Sequence, residues 1–180
     1  MINCMLDIET LSTKPNAVVL TIGAVKFDPY SLKEPDSGIY LRPEVDQQLA
    51  DGRDASETTM AWWLKQSNTS RIEAFSDEGR LSLEETHRAL NKFLVGVDVI
   101  WAQGAVFDIM ILENLYAHYG WPTPWNYWQI RDSRTLFSVH GDPRDNKKSE
   151  DLHNALADCI SQSKAVQKIY RELGLKPRVC

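Results

Sequence analysis

Residues 17–27, AVVLTIGAVKF, form a run of β-branched and small apolar side chains that reads as a strand. Residues 2–9 are also mostly apolar and read as a strand before it, and residues 39–41 as a short third. Helical patterns then take over. Residues 59–66 form one; Ser82-Leu83-Glu84-Glu85 is a capping box opening another, with Leu83, Leu90, Phe93 and Leu94 as its buried face. Residues 106–119 predict a helix stopped by Gly120 and Pro122. The last helix spans about residues 151–173, with Leu156, Ile160, Ser163, Val166 and Tyr170 on one side and Gly174 as its stop. Residues 98–102 and 129–132 read as strands between these helices. Three early strands followed by alternating helices and strands predict an α/β layer fold, a mixed β-sheet flanked by α-helices.

Length and composition bound the functional classes. A chain of 180 residues with 43% hydrophobic and 25% charged residues is expected to form one domain, 1–180, with a sizeable core. No apolar run approaches the roughly 18 residues of a membrane span, and the start Met1-Ile2-Asn3-Cys4 lacks signal-peptide character, so a cytoplasmic protein is expected. The cysteines, Cys4, Cys159 and Cys180, are odd in number and contain no CxxC pair, which argues against a disulfide framework or a structural zinc site. A net charge of −5 argues against broad wrapping of a nucleic-acid duplex, which needs a basic footprint.

Four acids stand at the edges of apolar stretches: Asp7 and Glu9, Asp108, and Asp158, the last preceded by His153. A carboxylate in such a place is costly unless a cation or a proton compensates it. Two hard divalent cations, roughly 3.5–4 Å apart, would neutralise the cluster, hold a phosphodiester and ionise a water. Asp7 and Glu9, one residue apart on a strand, emerge on the same face and can share one ion. Taken alone, the pair also fits two ordinary acids at a solvent-facing strand edge.

Asp7-Ile8-Glu9-Thr10-Leu11, Gly104-Ala105-Val106-Phe107-Asp108 and His153-Asn154-Ala155-Leu156-Ala157-Asp158 resemble, in order, the three motifs of the DEDD 3′→5′ exonucleases. The resemblance covers roughly residues 2–170 and implies a ribonuclease H-like fold. The third motif has the histidine form, because the other branch places a tyrosine four residues before the last acid, where this chain has Asn154. Thr59-Met60-Ala61-Trp62-Trp63 and the segment from Asn126 to Asp132 are similar to phage-type members. Many relatives carry asparagine at the position of Gly104, so a polar contact there is either lost or supplied by a neighbour such as Gln103.

The resemblance implies that Asp7, Glu9 and Asp158 hold one metal ion, Mg²⁺ or Mn²⁺, and that Asp7 and Asp108 serve a second. His153 would be the general base. Five residues from Asp158, it cannot share that acid's helical face and is expected at the helix entrance. Thr10 and Leu11 would cradle the terminal nucleotide, Leu11 as an apolar wedge. Trp62 and Trp63 point about 100° apart on a helix; one is core, and Trp63 is the one expected to stack on a base. Phe107 is open to a core or a substrate-facing place. His87, His118 and His140 have no such context. Lys147 and Lys148 are read as a solvated pair or as phosphate contacts, and Arg131 and Arg134 as substrate contacts or partners of acids such as Asp132.

The expected activity is therefore metal-dependent 3′→5′ exonuclease action on the 3′ end of single-stranded nucleic acid, DNA or RNA, releasing nucleoside 5′-monophosphates. The alternatives are a catalytically inactive nucleic-acid-binding module, which should have lost an acid or the histidine, and a two-metal phosphatase of small molecules. Sugar preference and oligomeric state are not encoded in these spacings.

Overall fold

The computed structural model describes residues 1–144 and 153–177. Strands β1 (Asn3–Thr10) and β2 (Val19–Phe27) pair antiparallel, and β3 (Ile39–Leu41) continues the sheet antiparallel to β2. On the other side of β1, β4 (Val99–Ala102) and β5 (Ile130–Asp132) run parallel to it, in the order β3-β2-β1-β4-β5. The sheet is mixed, as the alternation of patterns predicts.

Alternation along β1 divides the core. Cys4, Leu6 and Ile8 pack on one face with Leu90 and Leu94 of α4 (Leu83–Leu94) and with Ile109 and Leu112 of α5 (Ala105–His118). Met5 points the other way, toward Phe137 of α6 (Ser133–His140) and Cys159, Val166 and Ile169 of α7 (Ala155–Glu172). Each such apolar side chain contributes about 1.5–3 kcal/mol by leaving water. The α4 capping box forms as its sequence predicts, Ser82 accepting from the Glu85 N–H and Glu85 from the Ser82 N–H. Among the described residues, no helix is long and apolar enough to cross a membrane.

Three short helices escape the periodicity: α1 (Val45–Ala50), α3 (Asn68–Phe75) and α6. The first is too brief for a pattern, α3 is largely polar apart from Ile72, Ala74 and Phe75 and is capped by Ser67, and α6 is capped by Asp132, the last residue of β5. The helix expected over residues 59–66 is α2 (Glu57–Trp63), which begins earlier because Ser56 caps it through the Thr59 N–H. The start expected for the last helix at Asp151, together with Lys147, Lys148 and Cys180, lies outside the described residues.

One glycine sets how the last helix meets the sheet. Gly23 of β2 is paired with Asp7 of β1, and a Cβ on it would stand 2.3 Å from the carbonyl carbon of Ala155. Absence of that carbon lets the first turn of α7 lie directly on the sheet beside Asp7. The Cys159 thiol, one turn along, donates to the Gly23 carbonyl at 3.3 Å.

Candidate active site

The carboxyl-terminal end of β1, next to the parallel strand β4, is the kind of sheet edge where α/β proteins bind ligands. Asp7 and Glu9 share the face covered by α7. A register shift between Glu9 and Thr10 marks a bulge in the β1–β2 ladder just beyond them. Such irregularities re-aim side chains at strand ends.

The other acids come from helix starts. Asp108 lies in the first turn of α5, and its Oδ1 accepts the Ile8 backbone N–H at 3.2 Å. Gly104, with φ of 115°, caps that helix in the left-handed region and turns the chain sharply from β4 into α5. Asp158 lies in the first turn of α7, where Asn154 caps the helix by accepting the Ala157 N–H at 3.0 Å. His153 therefore stands outside the helix, as its five-residue spacing from Asp158 predicts. Its φ of 68° is a conformation that non-glycine residues adopt only under constraint. In that position its backbone N–H donates to the Asp158 carboxylate, and its Nδ1 lies 4.0 Å from Glu9 Oε1.

Asp7, Glu9 and Asp158 each offer an oxygen within 4.8 Å of the others. Burial, followed by repulsion from Asp108 and Asp158, pushes the Asp7 carboxyl well above the usual range. Glu9 is raised by burial and then by repulsion from Asp7, Asp158 and Asp108, in that order. Burial lifts Asp108 to about 7 and Asp158 to about 6, against the hydrogen bonds from Ile8 and His153. A site of crowded, desolvated carboxylates with raised proton affinity has the donor chemistry of a hard divalent cation, which would replace those protons. Burial lowers the His153 pKa, so its ring is neutral at pH 7 and able to take a proton.

A cleft of about 520 Å³ opens onto these groups and is also lined by Thr10, Thr13, Thr58, Thr59, Trp62, Gln103, Phe107 and Arg134. Thr10 thus lies at the site, although its hydroxyl donates to the Ser12 carbonyl at 2.7 Å. Phe107 is half-buried, packed on the core and facing the cleft. Two expected substrate residues do not line this cleft. Trp63 is 1% exposed, packs with Val18 and Leu20, and donates its indole N–H to the Thr10 carbonyl at 3.0 Å. Leu11 joins the same cluster rather than wedging into the cleft. Trp62, by contrast, is 40% exposed and lines the cleft, with its edge-on neighbour His153 at 4.7 Å between centroids. A helical spacing gives the angle between Trp62 and Trp63 but not which of them faces inward.

Gln162 carries no signal of its role in the sequence. Its Nε2 donates to Asp7 Oδ1 at 3.2 Å, from one turn beyond Asp158 on the same face of α7. Among the described residues, His87 instead stacks on Trp121 and His140 pairs with Glu172, far in kind from this chemistry.

A mixed sheet whose first strand carries two acids, met by acids from two helix starts and by a histidine before the last helix, has the ribonuclease H-like architecture of the DEDDh exonucleases. The chain belongs to the family described as the 3′-5′ exoribonuclease Rv2179c-like domain, whose model matches residues 2–170. Its fold is similar to that of E. coli exonuclease I in a zinc-bound complex with single-stranded DNA, at a TM-score of 0.64 and 15% identity over 96% of this chain and 41% of that one. It is likewise similar to the nuclease domain of 3′hExo, a DEDDh family member bound to rAMP, at 0.59 and 12% identity over 99% and 96%. Exonuclease X in complex with 5′ overhanging duplex DNA gives 0.56 and 17% over 97% and 94%. This chain spans about two fifths of the length of the exonuclease I chains. Sequence comparison with curated proteins gives no match.

Proposed function

We propose that this protein, as one domain over residues 1–180, is a metal-dependent 3′→5′ exonuclease that removes nucleoside 5′-monophosphates from the 3′ end of single-stranded nucleic acid. The observation that carries the reading is the meeting of Asp7, Glu9, Asp108, Asp158 and His153, from both ends and the middle of the chain, in one cleft. Asp7, Glu9 and Asp158 would hold one divalent cation, and Asp7 with Asp108 a second. Mg²⁺ or Mn²⁺ suits the all-oxygen donor set. When bound, such ions supply Lewis acidity to the phosphate and to the leaving 3′ oxygen. His153, neutral and held beside Glu9 by its left-handed backbone, accepts the proton of the attacking water. Trp62 offers its exposed ring to the terminal base, Thr10 and Phe107 the adjoining wall.

RNA is the strand expected to be preferred, on the activity printed for the family. The likeness of residues 59–63 and 126–132 to phage-type enzymes supports a relative of that branch. Cys4 and Cys159 are buried free thiols, which suits a reducing compartment such as the cytoplasm. The test is digestion of matched single-stranded RNA, single-stranded DNA and duplexes, each labelled at the 5′ end, with Mg²⁺, with Mn²⁺ and with excess chelator. A ladder shortening from the 3′ end, dependent on metal, is expected. Turnover of a generic phosphomonoester alone would favour the phosphatase instead, and strand binding without cleavage the inactive module.

A further inference from the structure

Arg134 is the one lysine or arginine among the described residues that line the cleft. Its guanidinium lies against Gly104, where a Cβ would stand 3.2 Å from Nη2 and 3.6 Å from Nε. Nη2 donates to the Gln103 carbonyl at 2.9 Å, which uses one of five donors and leaves the others for a ligand. Asp132, the acid nearest in sequence, forms no ion pair with it; its two oxygens accept the Ala105 and Thr135 backbone N–H groups. Among the described residues, Arg134 has no ion-pair partner. Arg144, whose charge also reaches the acids, is by contrast engaged with Asp142 at 2.6 Å.

Position then decides which anion Arg134 would meet. Phosphodiester displacement runs in line, so the attacking water and the leaving 3′ oxygen lie on opposite sides of the reacting phosphorus. His153, which would activate the water, flanks Glu9 and Trp62. Arg134 flanks Gln103 and Gly104 at the start of the helix that carries Asp108, which on the exonuclease reading would be the side of the leaving 3′ oxygen and of the strand behind it. Resting on the exonuclease reading, we propose that Arg134 and the Gln103–Gly104 turn form a subsite for the internucleotide phosphate next to the scissile one, on the strand left behind. The absence of a side chain at Gly104 makes room for the guanidinium, since a Cβ there would crowd Nη2.

The test compares a single strand with one in which that neighbouring linkage is a neutral methylphosphonate. In the wild type, kcat/KM is expected to fall about 10- to 100-fold on the neutral strand, the range of a charge-assisted phosphate contact. In Arg134→Ala the two strands should be cleaved at equal rates, and Arg134→Lys should restore part of the difference. A merely structural role would slow both strands and keep the difference, so a full penalty persisting in Arg134→Ala overturns the assignment, as does no penalty in the wild type. Melting temperatures identify a variant that fails to fold, in which case Arg134→Gln carries the comparison. A wild type that cleaves neither strand sinks the exonuclease reading instead; the same pair of strands then tests the subsite by affinity in Ca²⁺.

Discussion

Replacing Asp7 separates what the acid cluster costs the fold from what it does for the reaction. Asp7 is repelled by Asp108 and Asp158 and held by Gln162. Asp7→Asn should therefore leave the metal-free protein as stable or more so, while cleavage is nearly abolished; thermal melts in chelator and single-turnover rates in Mn²⁺ check both. A large drop in the metal-free melting temperature would show that the charge is structurally required. His153→Ala is expected to slow the chemical step by about 10²–10⁴-fold with little change in metal affinity. The two tryptophans should divide cleanly. Trp62→Ala should weaken single-strand binding by about 1–3 kcal/mol across base identities, whereas Trp63→Ala should cost the fold about 3–5 kcal/mol. The reverse outcome, measured by anisotropy and denaturant melts, would return Trp63 to the substrate side.

At the scale of the element, the site depends on how closely α7 settles on β2. Gly23→Ala places a methyl group 2.3 Å from the Ala155 carbonyl carbon and 2.4 Å from its oxygen, so the helix start must move. Overpacking of this sort costs about 1–3 kcal/mol, and the shift should reduce metal affinity by calorimetry more than truncating an equally buried apolar side chain elsewhere in the sheet. Unchanged metal binding would mean that α7 docks without this contact. The main elements and the acids were legible in the sequence because each carries a local signature: apolar runs for β1 and β2, a capping box for α4, carboxylates where apolar neighbours make them expensive. Gln162 was not legible, since its partner is 155 positions away. The burial of Leu11 was not legible for a related reason: position beside the acids says nothing about the pocket that Val18, Leu20 and Trp63 make for it from other elements. Gly23 gave no sign of its role, because a glycine in a strand announces close approach only once the approaching helix is known.

For the whole molecule, a bound metal would compete with protons for one set of oxygens. Asp108 and Asp158, at about 7 and about 6, lie above the roughly 3.9 of an unfolded aspartate. The folded metal-free protein thus binds protons more tightly than the unfolded chain. Their stabilising contribution is complete below about pH 4 and is lost as pH rises through 6 to 7. In chelator, the melting temperature should accordingly fall between pH 5 and pH 8, and saturating Mn²⁺ should flatten or reverse that slope; a metal-free protein that gains stability with pH across this interval would contradict the assignment. The docking of α7 beside β1 adds a mechanical consequence. An ion shared by Asp7, Glu9 and Asp158 would act as a removable clasp between the first strand and the last helix, closing a loop from residue 7 to residue 158. Amide exchange in α7, and trypsin cutting at Lys164, Lys168 and Arg171, should slow when the clasp is shut, so the nuclease would be hardest to degrade when it is armed.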